Sequence, residues 1–466
     1  MAARPIVILH GWSDVSASFE PLAKLLRARL GGPEVTIIHL ADYISMENEV
    51  RFDDIVTAME VAWSRNGLPT TAGSVDAIVH STGGLVIRDW LQRSYGPGNA
   101  PVKHLVMLAP ANFGSPLAHK GRSLVGRIWK GFIAKKPDGG AFQTGTRILK
   151  GLELASPYTW DLAERDRFGE GGRMYGPDHV LCTVLVGQDP GVAANAIANE
   201  DGWDGTVRVS TANLDCARTT VVLPANPTDA DPVVVPDPEV SSGMTAFGVL
   251  DGQDHGSVKL AHTEGESPGR VARRRRDGSL LSDIVTALTV ADDDFEAWRG
   301  TLAERNRELL ARTDGSRSPE KHGYQNTVVR IRDQYGVGIE DFVLELFEKD
   351  DDRNRRSGRA HRAALRSVHP YSDDPSYRSF YIDCTSLFRK IDRKGEFLGI
   401  GITAHPEMEP GAPVGFTPFA GRGTGGLRIM HRELGRFFVP NRTLLLTLQL
   451  TRQQSESVFR LNPPDG

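Results

Sequence analysis

Val75-Asp-Ala-Ile-Val-His-Ser-Thr-Gly-Gly-Leu-Val-Ile-Arg-Asp-Trp-Leu91 decides how this chain is read. Val75–Val79 is a short, mostly apolar run of strand length, and Leu85–Leu91 opens an amphipathic helix. Between them stand His80, Ser81, Thr82, Gly83 and Gly84. A strand that passes directly into a helix has a crowded backbone at the turn, so small neighbours are required there. A serine at such a turn points its hydroxyl out of the sheet. The helix N-terminus and the Thr82 amide then place positive potential beside it. Ser81 is therefore the candidate nucleophile. The plainer reading is a strand–turn–helix with a surface serine, and the rest of the chain has to choose between the two.

Working outward, short apolar runs alternate with helical patterns from residue 5 to about 300. Strands are predicted at Ile6–Leu9, Val35–Leu40, Val75–Val79, His104–Leu108, Val180–Val186 and Thr245–Val249. Helices are predicted at Phe19–Leu30, stopped by Gly31-Gly32, and at Phe52–Trp63. Residues 279–312 read as purely helical. Strands that alternate with helices predict a parallel sheet covered on both faces. Asp314–Pro319 is a polar linker candidate. Beyond it, Thr327–Arg332, Phe342–Phe347, Ser379–Cys384, Phe397–Thr403 and Thr443–Leu450 read as strands joined by Gly- and Pro-rich turns. The expectation is an α/β domain over 1–314 and a separate, mostly antiparallel, β-sandwich-like domain over 320–466.

His80-Ser81-Thr82-Gly83-Gly84-Leu85-Val86, with Arg88, resembles the nucleophile elbow of α/β-hydrolase lipases. It departs from the usual Gly-x-Ser-x-Gly in having Val79 two residues before the serine. Ile6-Val-Ile-Leu-His-Gly-Trp12 resembles their oxyanion strand and loop. Leu108-Ala-Pro-Ala-Asn-Phe-Gly-Ser-Pro-Leu-Ala118 resembles a segment of lipases of the lecithin–cholesterol acyltransferase and GPI inositol-deacylase type. The resemblance covers residues 5–300 and implies an α/β-hydrolase fold. It also implies an oxyanion pocket formed by His10, Gly11, Trp12 and Thr82, with the N–H groups of Trp12 and Thr82 as donors.

A serine at its free pKa needs an imidazole within reach and a carboxylate to orient that imidazole. The chain order expected in this fold is serine, acid, histidine. Asp204 lies in Asp204-Gly-Thr-Val-Arg-Val-Ser210, which resembles the acid-bearing Asp-Gly-x-Val-x-x-Ser segment of these lipases. Asp189, directly after the strand ending at Val186, is the alternative acid, and Asp201 a third. Each is otherwise an ordinary loop carboxylate. His255, in Asp254-His-Gly-Ser257, follows the last predicted strand of the domain and is the expected base, with His262 as its alternative.

An insertion of about 60 residues, 118–178, is expected to form a lid. From His119 to Lys150 it carries eight basic residues and one acid, interleaved with Leu124, Val125, Ile128, Trp129, Phe132 and Ile133. That mixture suits peripheral contact with an anionic lipid surface as well as it suits a solvated cap. Arg273–Arg276 reads as a solvated charge run. No cofactor, metal cluster or nucleotide loop is expected anywhere. For the C-terminal domain only a protein- or lipid-docking role is suggested, by fold-level analogy.

Composition sets the outer bounds. The chain has 466 residues, 55 basic and 59 acidic, for a net charge of −4. That balance argues against nucleic acid as a partner. Three scattered cysteines offer neither a disulfide framework nor a zinc spacing. No run reaches the roughly 18 apolar residues of a membrane span, and no signal peptide is recognisable at the N-terminus. A cytoplasmic protein is expected, with export by a signal-independent route left open. The function class is a serine hydrolase of carboxylic esters, with lipid esters foremost. An acyltransferase, a thioesterase or amidase, and a non-catalytic scaffold are the alternatives.

Overall fold

A computed structural model of the chain describes residues 4–10, 16–45, 47–118, 145–190, 200–226, 233–260, 278–314, 319–347, 358–390, 397–419 and 426–458. The chain divides into two compact units. The first comprises 1–216 and 241–322, the second 217–240 and 323–466.

The first unit is built on six parallel strands in the order β2-β1-β3-β4-β5-β8. These are β1 (Ile6–His10), β2 (Val35–His39), β3 (Val75–His80), β4 (Val102–Leu108), β5 (Leu181–Gly187) and β8 (Thr245–Leu250). The numbers β6 and β7 go to Cys216–Leu223 and Glu239–Val240, which join the second unit. Every residue of β1, β3 and β5 is buried, as required of parallel strands covered on both faces. All six expected strands are present. The predicted helices appear as α1 (Glu20–Arg29), α2 (Phe52–Arg65) and α3 (Gly83–Ser94). Gly31 and Gly32, at φ +80° and +83°, end α1 as expected: the Gly32 N–H returns to the Arg27 carbonyl at 2.9 Å. The predicted helical stretch 279–312 is two helices, Gly278–Thr289 and Phe295–Asp314, separated by a short 3-10 turn. This is the α/β-hydrolase fold. β1 has β2 on one side and β3 on the other. The strand order therefore reverses between β1 and β3, the kind of switch point beside which open α/β sheets bind ligands at the carboxyl ends of their strands.

The second unit holds a six-stranded sheet in the order β11-β12-β9-β16-β6-β7 and a three-stranded sheet in the order β10-β13-β15. Its further strands are β9 (Tyr324–Asp333), β10 (Phe342–Phe347), β11 (Leu365–Pro370), β12 (Tyr377–Asp383), β13 (Phe397–Ala404), β14 (Val414–Gly415), β15 (Leu427–Met430), β16 (Thr443–Leu450) and β17 (Gln453–Gln454). The pairing is mostly antiparallel, as expected, but β9 and β16 run parallel at the centre of the larger sheet. Residues of both sheets share one apolar core, among them Val329, Phe380, Leu398, Ile429 and Leu448.

Two sequence expectations need correcting here. The chain passes into the second unit at Gly323, just beyond the predicted linker. Ala217–Val240, assigned by sequence to the first domain, belongs to the second because β6 lies in the larger sheet beside β16.

The three cysteines are free and buried. Burial pushes the thiols of Cys182 and Cys216 up to about 12, which keeps them protonated and unreactive. No helix among the described residues is long and apolar enough to cross a membrane.

Candidate active site

Ser81 leaves the end of β3 at φ +55°. A side-chain-bearing residue in this left-handed region is strained and needs its surroundings to hold it there. Three backbone hydrogen bonds do so. The Ser81 N–H donates to the Leu108 carbonyl at 3.2 Å, and its own carbonyl accepts from Gly84 at 3.1 Å and Ala111 at 3.2 Å. The glycines are needed for space. A Cβ on Gly84 would lie 2.7 Å from Pro110 Cβ, and one on Gly83 would lie 3.1 Å from the Leu9 carbonyl. A Cβ at Gly83 would meet Val79 Cβ at 3.5 Å, an ordinary contact, so the tight neighbour at this position is the Leu9 carbonyl.

Helix α3 starts at Gly83, and no side chain caps it. The positive end of its dipole faces the Ser81 turn, where the N–H groups of Gly84, Leu85 and Val86 are taken by the carbonyls of Ser81 and Thr82. The helix is fixed from below by Arg88. Its guanidinium forms a two-pronged pair with Asp166, at 2.7 and 2.9 Å, and donates to the Asn112 carbonyl at 2.9 Å. Both charged side chains are almost wholly buried. Asn112 in turn holds the Ala212 carbonyl at 2.8 Å, so the segment after β4 is pinned beside the elbow.

Asp204 sits in a tight turn that Gly205, at φ +98°, makes possible. Its Oδ1 accepts from the N–H groups of Thr206 at 2.9 Å and Val207 at 2.8 Å. Its backbone carbonyl accepts from the His255 N–H at 2.9 Å, and Oδ2 lies 2.9 Å from His255 Nδ1. Asp204 thus holds His255 by both main chain and side chain. A carboxylate on Nδ1 selects the tautomer with the proton on Nδ1, which leaves Nε2 free to accept one. The loop carrying His255 is closed by its neighbours. Asp254 Oδ1 accepts from Gly256 at 3.0 Å and Ser257 at 2.7 Å, and Ser257 Oγ accepts from the Asp254 N–H at 2.8 Å.

Sequence position next to the nucleophile suits His80 to a structural or pocket-lining part rather than to the base, but does not name its partner. His80 Nε2 lies 3.1 Å from the His255 carbonyl, an acceptor only, so this nitrogen carries the proton. Its ring packs against the His255 ring at 4.6 Å between centroids. Burial first, then the nearby His255 and Lys259, drives the His80 pKa well below the usual 6.5. His80 is therefore a neutral brace. The signal was present in its position beside Ser81, but its partner is 175 residues away.

His10, expected in the oxyanion pocket, is fully buried within a row of rings. It stacks on His39 at 4.4 Å and on Phe19 at 5.4 Å, and Phe19 meets His80 edge-on at 5.7 Å. Gly11 and Trp12 lie outside the described residues, as do His262, Arg273–Arg276 and the basic stretch 119–144 of the expected lid. The described remainder of that insertion is helical, with Thr146–Leu152 and Pro157–Arg167. Asp189 donates its N–H to the Gln253 carbonyl at 3.0 Å, while the carboxylate against His255 is that of Asp204.

Ser81 and Thr82 open onto a small pocket walled by Ala111, Ser115, Leu117, Ala118, Leu149, Leu152, Thr206 and Val207. No hydrogen bond joins Ser81 Oγ to His255 among the described residues. Such contacts are often long before substrate binds. The described residues contain no group of three metal-ligating side chains.

No protein-family model matches the chain, and no curated protein matches it. Among solved structures, the phospholipase PlaB from Legionella pneumophila matches 98% of this chain and 96% of its own, at 22% identity and a TM-score of 0.78. The same phospholipase in complex with thio-NAD matches over the same shares, at 22% identity and a TM-score of 0.75. The mature lipase BlEst2 from Bacillus licheniformis covers 55% of this chain and 87% of its own, at 16% identity and a TM-score of 0.34, too distant to carry weight. The PlaB likeness extends the agreement in fold to both units.

Proposed function

We propose that the chain is a serine hydrolase of carboxylic esters, with lipid esters as its substrate class and Ser81, His255 and Asp204 as its triad. The observation that carries this reading is the 2.9 Å contact between Asp204 Oδ2 and His255 Nδ1, beside a serine held at φ +55° on a strand-to-helix turn. A histidine in that tautomer can take the hydroxyl proton as Ser81 Oγ attacks the ester carbonyl carbon. The oxyanion that forms lies toward the N–H of Thr82, with the N–H of Trp12 as the second donor that the family resemblance implies. Collapse breaks the bond to the alkoxy group, which leaves as an alcohol with the proton from His255. Water then attacks the acyl-Ser81 carbonyl and gives a proton to His255; the Ser81 Oγ–acyl bond breaks, His255 returns the proton to Oγ, and the carboxylic acid leaves. No cofactor is needed for these steps.

The choice of lipid esters rests on the apolar walls beside Ser81, contributed by Leu117, Leu149, Leu152 and Val207. The basic and apolar stretch within 119–150 suits the surface of an anionic bilayer. The fold neighbour named a phospholipase makes phospholipids the first substrates to try. The test is labelling with a fluorophosphonate probe, followed by fatty-acid release from p-nitrophenyl esters of increasing chain length and from phosphatidylglycerol vesicles. The expected result is labelling that Ser81→Ala abolishes, with turnover rising at longer chains. An unlabelled wild-type protein overturns the reading and favours a non-catalytic scaffold. Transfer of the acyl group to an added alcohol in preference to water assigns the same triad to an acyltransferase.

A further inference from the structure

We infer that the interior of the second unit is a binding site for the hydrocarbon chain of a lipid, separate from the pocket at Ser81. Between its two sheets lies a cavity of about 70 Å³. That is several times the roughly 10–15 Å³ that one water molecule requires. Water is nevertheless poorly served there. The lining is Val, Leu, Ile and Phe apart from two threonines, and both are already engaged. Thr219 donates to the Pro236 carbonyl at 3.1 Å, and Thr327 accepts from Gln325 Nε2 at 2.9 Å. A cavity with no polar group to offer stays dry and takes apolar guests.

The cavity can also be entered. Leu344, Leu346, Ile400 and Leu446 line it yet remain only half-buried, although their neighbours Val329 and Ile429 are fully enclosed. The chain has little of its own with which to fill it. The four internal segments of this unit outside the described residues are polar or glycine-rich: 227–232 reads PTDADP, 348–357 EKDDDRNRRS, 391–396 IDRKGE and 420–425 AGRGTG. Large apolar side chains in these stretches and the terminal one, 459–466, are limited to Ile391, Phe459 and Leu461. A site that offers hydrocarbon on every side, and no partner for a sugar, base or phosphate, suits the hydrocarbon chain of a lipid with its head group left at the mouth. The inference stands on this cavity alone and does not depend on the chemistry proposed for Ser81.

The test is binding of cis-parinaric acid, a fatty acid that fluoresces in apolar surroundings, to the full chain. A parallel arm uses a parinaroyl phospholipid in micelles. The expected result is saturable binding in at least one arm, which identifies whether free acid or intact lipid is held. Ile400→Trp and Leu446→Trp fill the cavity and should each weaken that binding by about tenfold, roughly 1.4 kcal/mol. Leu149→Trp, at the Ser81 pocket, and Val343→Trp, on an exposed position of β10, should not. Circular dichroism and melting curves identify any variant that has not folded, and two filling positions keep the test decisive. Absence of binding in both arms, insensitivity to both filling variants, or loss with Leu149→Trp instead overturns the inference. So does binding that arises only after residues 459–466 are removed, which makes the chain's own terminus the occupant. Short-ester turnover unchanged in Ile400→Trp separates this result from any failure of the hydrolase reading.

Discussion

Replacing Asp204 with asparagine probes the site at one atom. The Oδ1 position is committed to two backbone donors, Thr206 at 2.9 Å and Val207 at 2.8 Å. An asparagine therefore has to keep its carbonyl oxygen there, which turns its NH2 group toward His255 Nδ1. A donor facing Nδ1 forces the imidazole into the other tautomer, with its proton on Nε2, toward the serine. His255 then can no longer accept the Ser81 proton. A wrong-tautomer substitution of this kind costs a serine hydrolase about ten-thousand-fold in kcat, or roughly 5.5 kcal/mol at 1.36 kcal/mol per decade. Folding suffers much less, because two of the three side-chain hydrogen bonds persist. About 1–3 kcal/mol of stability is expected to be lost with the charged acceptor. The assay is steady-state hydrolysis of a p-nitrophenyl ester, with KM expected to hold and kcat to collapse, beside a melting curve. Asp204→Asn activity within tenfold of wild type, or a greater loss in Asp189→Asn, refutes the assignment.

Three further outcomes are expected. His80 is held neutral by burial, so its folded-state pKa lies below the unfolded value of 6.5. The unfolded chain then binds the extra proton, and the stability contributed by the neutral ring is present above that value and lost as pH falls below it. The melting temperature of wild type should therefore drop toward that of His80→Gln on acidification, and a gap that widens instead contradicts the neutral brace. Ser81→Gly relieves a left-handed residue that costs roughly 1–3 kcal/mol, against roughly 0.5–1 kcal/mol of glycine entropy. It should melt higher than Ser81→Ala in a calorimeter, and an equal or lower melting temperature shows that the turn is not strained. Arg88→Met leaves Asp166 buried and unpaired and should cost about 3–5 kcal/mol in urea unfolding, most of it recovered in Arg88→Met/Asp166→Leu. A loss under about 1 kcal/mol for the single variant shows the pair to be dispensable.

What was legible in the sequence was local. The elbow is written in consecutive residues because the strain at Ser81 demands Gly83 and Gly84 within three positions. Asp204 is singled out by the resemblance of Asp204–Ser210 to a lipase segment, with Asp189 and Asp201 left open; the turn in which its carboxylate holds the N–H groups two and three residues on appears only in the structure. His255 is picked out by its place after the last predicted strand of the domain, with His262 as the alternative; the bonds from Asp254 and Ser257 that close its loop come from the structure. What was hidden depends on partners far along the chain. Arg88 enters the sequence reading only within the elbow resemblance, and its pairing with Asp166, 78 residues later, is what makes it a buried anchor. β6 is not among the strands read from the sequence, and its partner β16 begins only at Thr443. The parallel pairing of β9 with β16 is invisible for the same reason.

The excursion of β6 and β7 into the second unit has a consequence for synthesis. Asp204 and His255 flank that excursion, so the acid and the base are joined by chain whose sheet neighbour is made some 200 residues later. While the ribosome is still upstream of β16, β6 presents an open edge carrying Val221 and Leu223, two side chains buried in the finished molecule. A gene cut after codon 322 encodes every residue of the proposed triad yet leaves that edge unpaired. The nascent chain acquires its chemistry in the first two thirds of translation and a closed architecture only near the end.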